Sequence, residues 1–172
     1  VNPSARDSAP QRQSSQSGRI LARLADLGLI LPQPAIPVAS YIPTRLVGGI
    51  LYVSGQIPSV EGKLIAQGLV PRDVNLEKAR ECAVRCVLNA LAAAHSTLTD
   101  RGGLDAIRSV VRVGCFVACE SDFTQHPEVA NGASDLLVSI FGDSGRHVRA
   151  AVGSSSLPRG APVEVEVAFE VA

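Results

Sequence analysis

Tryptophan is absent from this chain and aromatic residues make up only 3% of it, which removes most of the flat stacking surface that single-strand nucleic-acid binders use. An excess of charge is missing too. Lys and Arg number 16 against 16 Asp and Glu, so the formal net charge is zero and no long-range pull toward nucleic acid or anionic lipid is built in. Neither a nucleic acid nor a membrane is expected as a partner. No apolar run approaches the roughly 20 residues of a membrane span, and the N-terminal stretch lacks a signal-peptide apolar core; a cytoplasmic location is the expectation. The glycine spacing of nucleotide-binding loops is also absent, and Ser154-Ser155-Ser156 reads as a polar turn. The four cysteines fall as Cys82/Cys86 and Cys115/Cys119. Two thiols a helical turn apart do not make a tetrahedral metal site, which wants further Cys or His at short spacing. Buried reduced thiols are the plainer reading, and no metal is expected.

What is present suffices for one domain with a proper core. Residues 1–17 are rich in Ser, Gln, Pro, Asn and Arg with almost no large apolar side chains, so they cannot offset the entropy of ordering and are read as a flexible tail. Residues 18–36 are read as a short amphipathic helix, ending at Gly28, and a proline-punctuated link. The main domain is placed at 37–172. Gly48-Gly49 between two short apolar runs predicts a hairpin, and a polar turn follows around Glu61-Gly62-Lys63. A long helix is predicted over 76–98, with Leu76, Ala79, Ala83, Val87, Ala90, Leu91 and Ala94 on one stripe and Asn75 as its N-cap. Valine-rich 107–119 reads as a buried strand in which Gly114 marks a bulge or a close backbone approach. A second helix is predicted over 127–141, ended by Gly142, and two final strands over 147–152 and 162–171. The order ββαβαββ predicts an α+β fold, a sheet with two helices packed on one face.

The residues able to do chemistry cluster in the last quarter. Arg149 lies on a short strand, and Glu164 fifteen residues later lies on the next, a separation suited to antiparallel neighbours. A guanidinium is permanently charged and grips a carboxylate through two parallel hydrogen bonds, which lysine cannot imitate; small Ala151 beside it leaves room for a ligand. The plainer alternative is an ion pair from Arg149 to Glu164 or Glu166 across the sheet. By alternation Val163, Val165, Val167, Phe169 and Val171 form one face of the last strand and Glu164, Glu166 and Glu170 the other, a face that is solvated or meets another subunit. His147 shares the face of Arg149, where a lone histidine is more often a surface or packing residue. His95 and His126 have no Ser or Cys nucleophile placed near them in sequence, so no catalytic triad is readable.

Tyr41, the run Leu51-Tyr52-Val53-Ser54-Gly55-Gln56-Ile57-Pro58, Asn131, Arg149, Leu157-Pro158 and Val163-Glu164-Val165-Glu166 together resemble the RidA/YjgF family of reactive-intermediate deaminases. The resemblance covers about residues 37–171. It implies a chorismate-mutase-like α+β fold assembled as a homotrimer, whose three sheets form an inner β-barrel with clefts between subunits. It also implies that Arg149 binds the carboxylate of a 2-imino or 2-enamino acid and that Glu164 positions the hydrolytic water. Tyr41, Gly55 and Asn131 match residues lining the cleft, and the backbone N–H of Ala151 is a further ligand contact. No cofactor is implied. The chain departs from familiar members at Ala151, where a cysteine is usual, at His147-Val148, where Pro-Ala is usual, and in its added N-terminal helix.

Such chemistry asks little of the protein. A 2-imino acid already hydrolyses in water, so fixing its carboxylate beside a water accelerates the reaction through proximity and orientation. The competing class is a noncatalytic trimeric module that senses a small carboxylate, such as a 2-keto acid, in the same cleft. An endoribonuclease, another activity attached to the family's name, finds little basic or aromatic surface here for RNA.

Overall fold

The computed structural model describes residues 18–34 and 40–172; the predicted tail over 1–17 and the boundary at residue 37 lie outside them. Gly48 and Gly49 both take positive φ (56° and 82°), the conformation a two-residue hairpin turn demands and glycine adopts without strain. They join β1 (Thr44–Val47) to β2 (Ile50–Gln56). The polar turn at Glu61-Gly62 closes a separate small hairpin, β3 (Ser59–Val60) with β4 (Lys63–Leu64).

Helix α2 (Leu76–Thr97) begins where Asn75 Oδ1 accepts the Lys78 amide at 2.8 Å, satisfying one of the donors a helix start leaves open. Its alanine-rich stripe, Ala79, Ala83, Ala90 and Ala94, is fully buried. Strand β5 (Ile107–Ala118) leads into α3 (His126–Phe141), which stops at Gly142 with φ 63°. Strands β6 (Val148–Ser154) and β7 (Val163–Val171) complete the chain. Helix α1 (Arg19–Asp26) lacks a local side-chain cap; its first amides, Arg19 and Ile20, instead donate to the Asp105 carboxylate at 2.7 and 2.9 Å. Ile20 and Leu24 of α1 belong to the same buried core as the sheet.

The main sheet runs β1-β2-β7-β5-β6, antiparallel except for the parallel pair β5/β6. This corrects the expectation that Arg149 and Glu164 lie on neighbouring strands, because β5 separates β6 from β7. The reason is topological. Strand β5, helix α3 and strand β6 form a parallel crossover unit, which sets β6 at the rim, and β7 fills the slot between β5 and β2. Burial agrees: the inward residues Val163, Val165, Val167 and Phe169 of β7 are almost wholly enclosed, whereas no residue of β6 is. Gly114 marks a close approach, since a side chain there would meet Glu166 Oε1 at 2.6 Å; the irregularities of β5 fall earlier, at 107–109 and 110–112.

Helices α2 and α3 cover one sheet face, against Leu51, Val53, Val113, Cys115 and the inward side of β7. The other face is bare in the single chain. Tyr52, Val148 and Val152 are 54%, 67% and 46% exposed there. Among the described residues no helix is long and apolar enough to cross a membrane.

Candidate functional site

Arg149 pairs laterally with Val113, which pairs with Val167, so its side chain is on the helix-covered side of the sheet, at the rim. Its Nη1 donates to Asn131 Oδ1 at 2.9 Å and to Ser134 Oγ at 3.0 Å, both on α3. Asn131 and Ser134 stand three residues apart, on one helical face. A guanidinium has five N–H donors in a fixed fork, and two are spent here on one nitrogen. Among the described residues, Nε and Nη2 make no hydrogen bond, so one edge of the fork is free to take a carboxylate through two parallel bonds. The ion pair with Glu164 or Glu166 is not formed: Glu166 Oε1 accepts from Arg112 Nη1 at 2.7 Å.

Glu164 occupies the other face. It pairs laterally with Phe116, which pairs with Val152, placing it on the bare side, half-buried. Gly55 of β2 lies against it, and any side chain at Gly55 would collide with the Glu164 carboxylate. Burial first, and the neighbouring Glu166 second, raise the Glu164 carboxyl above its ordinary value, because a charge withdrawn from water or set beside a like charge is disfavoured. Glu166 is tied to Arg112 and Glu170 accepts from Ser109 Oγ at 2.7 Å. Glu164 has no such partner among the described residues.

The six predicted site residues therefore fall into separate groups. Arg149, Asn131 and Ala151 share the β6/α3 rim, with Ala151 packed partly against the core. Gly55 and Glu164 share the bare face of β2 and β7. Tyr41, 52% exposed, stands on the segment entering β1. Two strand spacings and a three-residue register offset separate Arg149 from Glu164, about 14 Å between Cα positions, and their side chains leave opposite faces. One chain does not bring the clamp and the acid to a common point.

His147, read from sequence as a surface or packing residue, and Ser134, which that reading did not single out, enter the site. Ser134 bridges Arg149 and His147: its Oγ is 3.0 Å from His147 Nε2, whose Nδ1 is 2.7 Å from the Gly145 carbonyl. The spacing of Asn131 and Ser134 on an otherwise apolar helix face was the available signal for Ser134. Cys119 Sγ is 3.4 Å from His126 Nε2, a thiol and histidine only seven residues apart, which corrects the reading that no Cys stands near His126 in sequence. Burial raises all four thiols, Cys82 to about 11 and Cys115 to about 12, which keeps them protonated. All four are free, three of them buried. Among the described residues, no three His, Cys, Asp or Glu side chains converge as metal ligands do.

Among the described residues, fold and site define a mixed α+β protein with three α-helices, a mostly antiparallel sheet and a rim arginine backed by helix α3. The chain belongs to the YjgF/chorismate-mutase-like family, whose model, described also by an endoribonuclease label, matches residues 21–167. Protein TCP17 of Trypanosoma cruzi is 38% identical over 156 residues, 90% of this chain and 96% of that protein. The crystal structure of Atu1372 from Agrobacterium tumefaciens, a protein of unknown function, is 41% identical with a TM-score of 0.80, over 88% of this chain and 91% of that one. A candidate endoribonuclease from Shewanella oneidensis MR-1 is 32% identical with a TM-score of 0.82, over 88% and 99% of the two chains.

Proposed function

We propose that this protein hydrolyses reactive 2-imino and 2-enamino acids to 2-keto acids and ammonia, in clefts formed between three copies of the chain. The observation that carries this reading is the Arg149 fork: two hydrogens are fixed on Asn131 and Ser134, and the free edge is shaped for a carboxylate. The substrate carboxylate docks on that edge, oriented further by the Ala151 backbone. Water held by Glu164 adds its oxygen to the C=N carbon while Glu164 takes one proton and returns it to nitrogen; the hydroxyl proton of the resulting carbinolamine then passes by the same carboxylate to nitrogen, and the C–N bond breaks to give ammonia and a new C=O. The reaction as written requires neither metal nor cofactor. A carboxyl with a raised affinity for protons suits this shuttle better than an ordinary surface acid.

Because Arg149 and Glu164 leave opposite faces of one sheet, they act on one ligand only if a second copy supplies the acid. Gly55 and Tyr41 would come with it, and the bare sheet face provides the surface for association. The inner β-barrel of a trimer is the arrangement this predicts.

The test is the rate of 2-keto acid release from 2-imino acids made in situ by an amino-acid oxidase, with semicarbazide trapping what is not hydrolysed. Wild-type protein is expected to accelerate release, and Arg149→Ala to lose about 100-fold of that acceleration, the scale of a lost positioning contact. Saturable pyruvate binding without acceleration would assign the cleft to carboxylate sensing instead. Hydrolysis that survives in Arg149→Ala would remove the clamp reading altogether.

A further inference from the structure

Two side chains beside the clamp have no part in the hydrolysis itself, yet their hydrogen bonds run in one direction. The Gly145 carbonyl can only accept, so His147 Nδ1, 2.7 Å away, carries the proton. Nε2 of the neutral ring is then an acceptor, and it takes the single hydroxyl proton of Ser134 across 3.0 Å. That leaves the lone pairs of Ser134 Oγ facing Arg149 Nη1, also at 3.0 Å. The far end of the chain is rigid: Gly145 is buried against the backbone of Leu137 and Val138 on α3, with no space for a side chain.

We infer that Ser134 and His147 are positioning residues that hold the Arg149 guanidinium with its Nε/Nη2 edge turned to the ligand. A serine hydroxyl rotates freely unless a partner fixes its hydrogen. Without His147 the Ser134 proton can swing toward Nη1, where donor meets donor and the contact is lost. Arg149 then keeps one anchor, Asn131, about which the fork can pivot. Outer partners of this kind orient a binding group without touching the ligand. The same geometry argues against Ser134 as a nucleophile, since its lone pairs already accept from a cation.

This inference rests on reading Arg149 as a carboxylate clamp, and pyruvate, the simplest 2-keto acid, is the probe. Binding is measured by calorimetry for wild type, Arg149→Ala, Ser134→Ala, His147→Ala, the Ser134→Ala/His147→Ala double variant and His147→Gln, with mass and circular dichroism as controls of fold. Ser134→Ala and His147→Ala are each expected to weaken binding about tenfold, the lower end for lost supporting partners, and the double variant no further. His147→Gln, whose amide oxygen can take the place of Nε2, is expected to restore most of the affinity. In 15N-arginine-labelled protein without ligand, the slowed rotation of the Arg149 Nη hydrogens should collapse in His147→Ala, a readout that stands even if one variant folds poorly. Wild-type affinity in Ser134→Ala and His147→Ala, with binding abolished in Arg149→Ala, would overturn the relay alone. Additive losses in the double variant would do the same. No pyruvate binding by wild type, or full binding by Arg149→Ala, would instead remove the clamp on which the relay rests.

Discussion

Glu164 shows how one residue's surroundings set its chemistry. Burial and Glu166 raise its proton affinity in the folded chain, so the folded state binds that proton more tightly than the unfolded state. The sign follows from linkage: stability from the protonated form is fully present below the ordinary carboxylate range and is lost as pH rises through the raised folded value. Glu164→Gln should abolish that decline, leaving melting temperature flat across this window while wild type falls; thermal melts on a pH series check it. If the proposed shuttle holds, the same variant keeps pyruvate binding and loses about 100-fold or more in turnover, the range of general acid–base contributions. At this scale the sequence was half legible. Alternation placed His147 with Arg149, but it could not say that Ser134, on a helix, would join them.

At the scale of elements, local signals read well because their causes are local. The Gly48-Gly49 turn, the Asn75 cap and the Gly142 stop each follow from backbone conformation or an unsatisfied amide within a few residues. Contacts between elements are another matter. Gly132 sits where α3 crosses α2, and a Cβ there would collide with the Arg80 carbonyl. Alanine is the better helix former by about 1 kcal/mol, yet overpacking against backbone costs about 1–3 kcal/mol. The steric effect wins where backbone is what must give, and Gly132→Ala should lower stability by up to about 2 kcal/mol, read from the urea midpoint. The contact lies between two helices, so no local signal in the sequence marks it.

For the whole molecule, the decisive feature is the uncovered sheet face, where Tyr52, Val148 and Val152 are exposed beside the half-buried Glu164. The trimer we propose on that face predicts an apparent mass three times that of one chain in light scattering. Val152→Glu, which sets a charge in the lateral row of Phe116 and Glu164, should yield single chains with unchanged far-ultraviolet circular dichroism and no imine hydrolysis. A monomeric wild type would remove the composite cleft. The sequence by itself determined the helices, the main strands and their inward faces, because periodicity, caps and turn glycines act over a few residues. Tertiary structure alone decided that β5 lies between β6 and β7, that Arg149 turns to α3, and that Glu164 faces the other way. Strand order is a property of long-range pairing, and no spacing along the chain encodes which strand will fill the slot beside another.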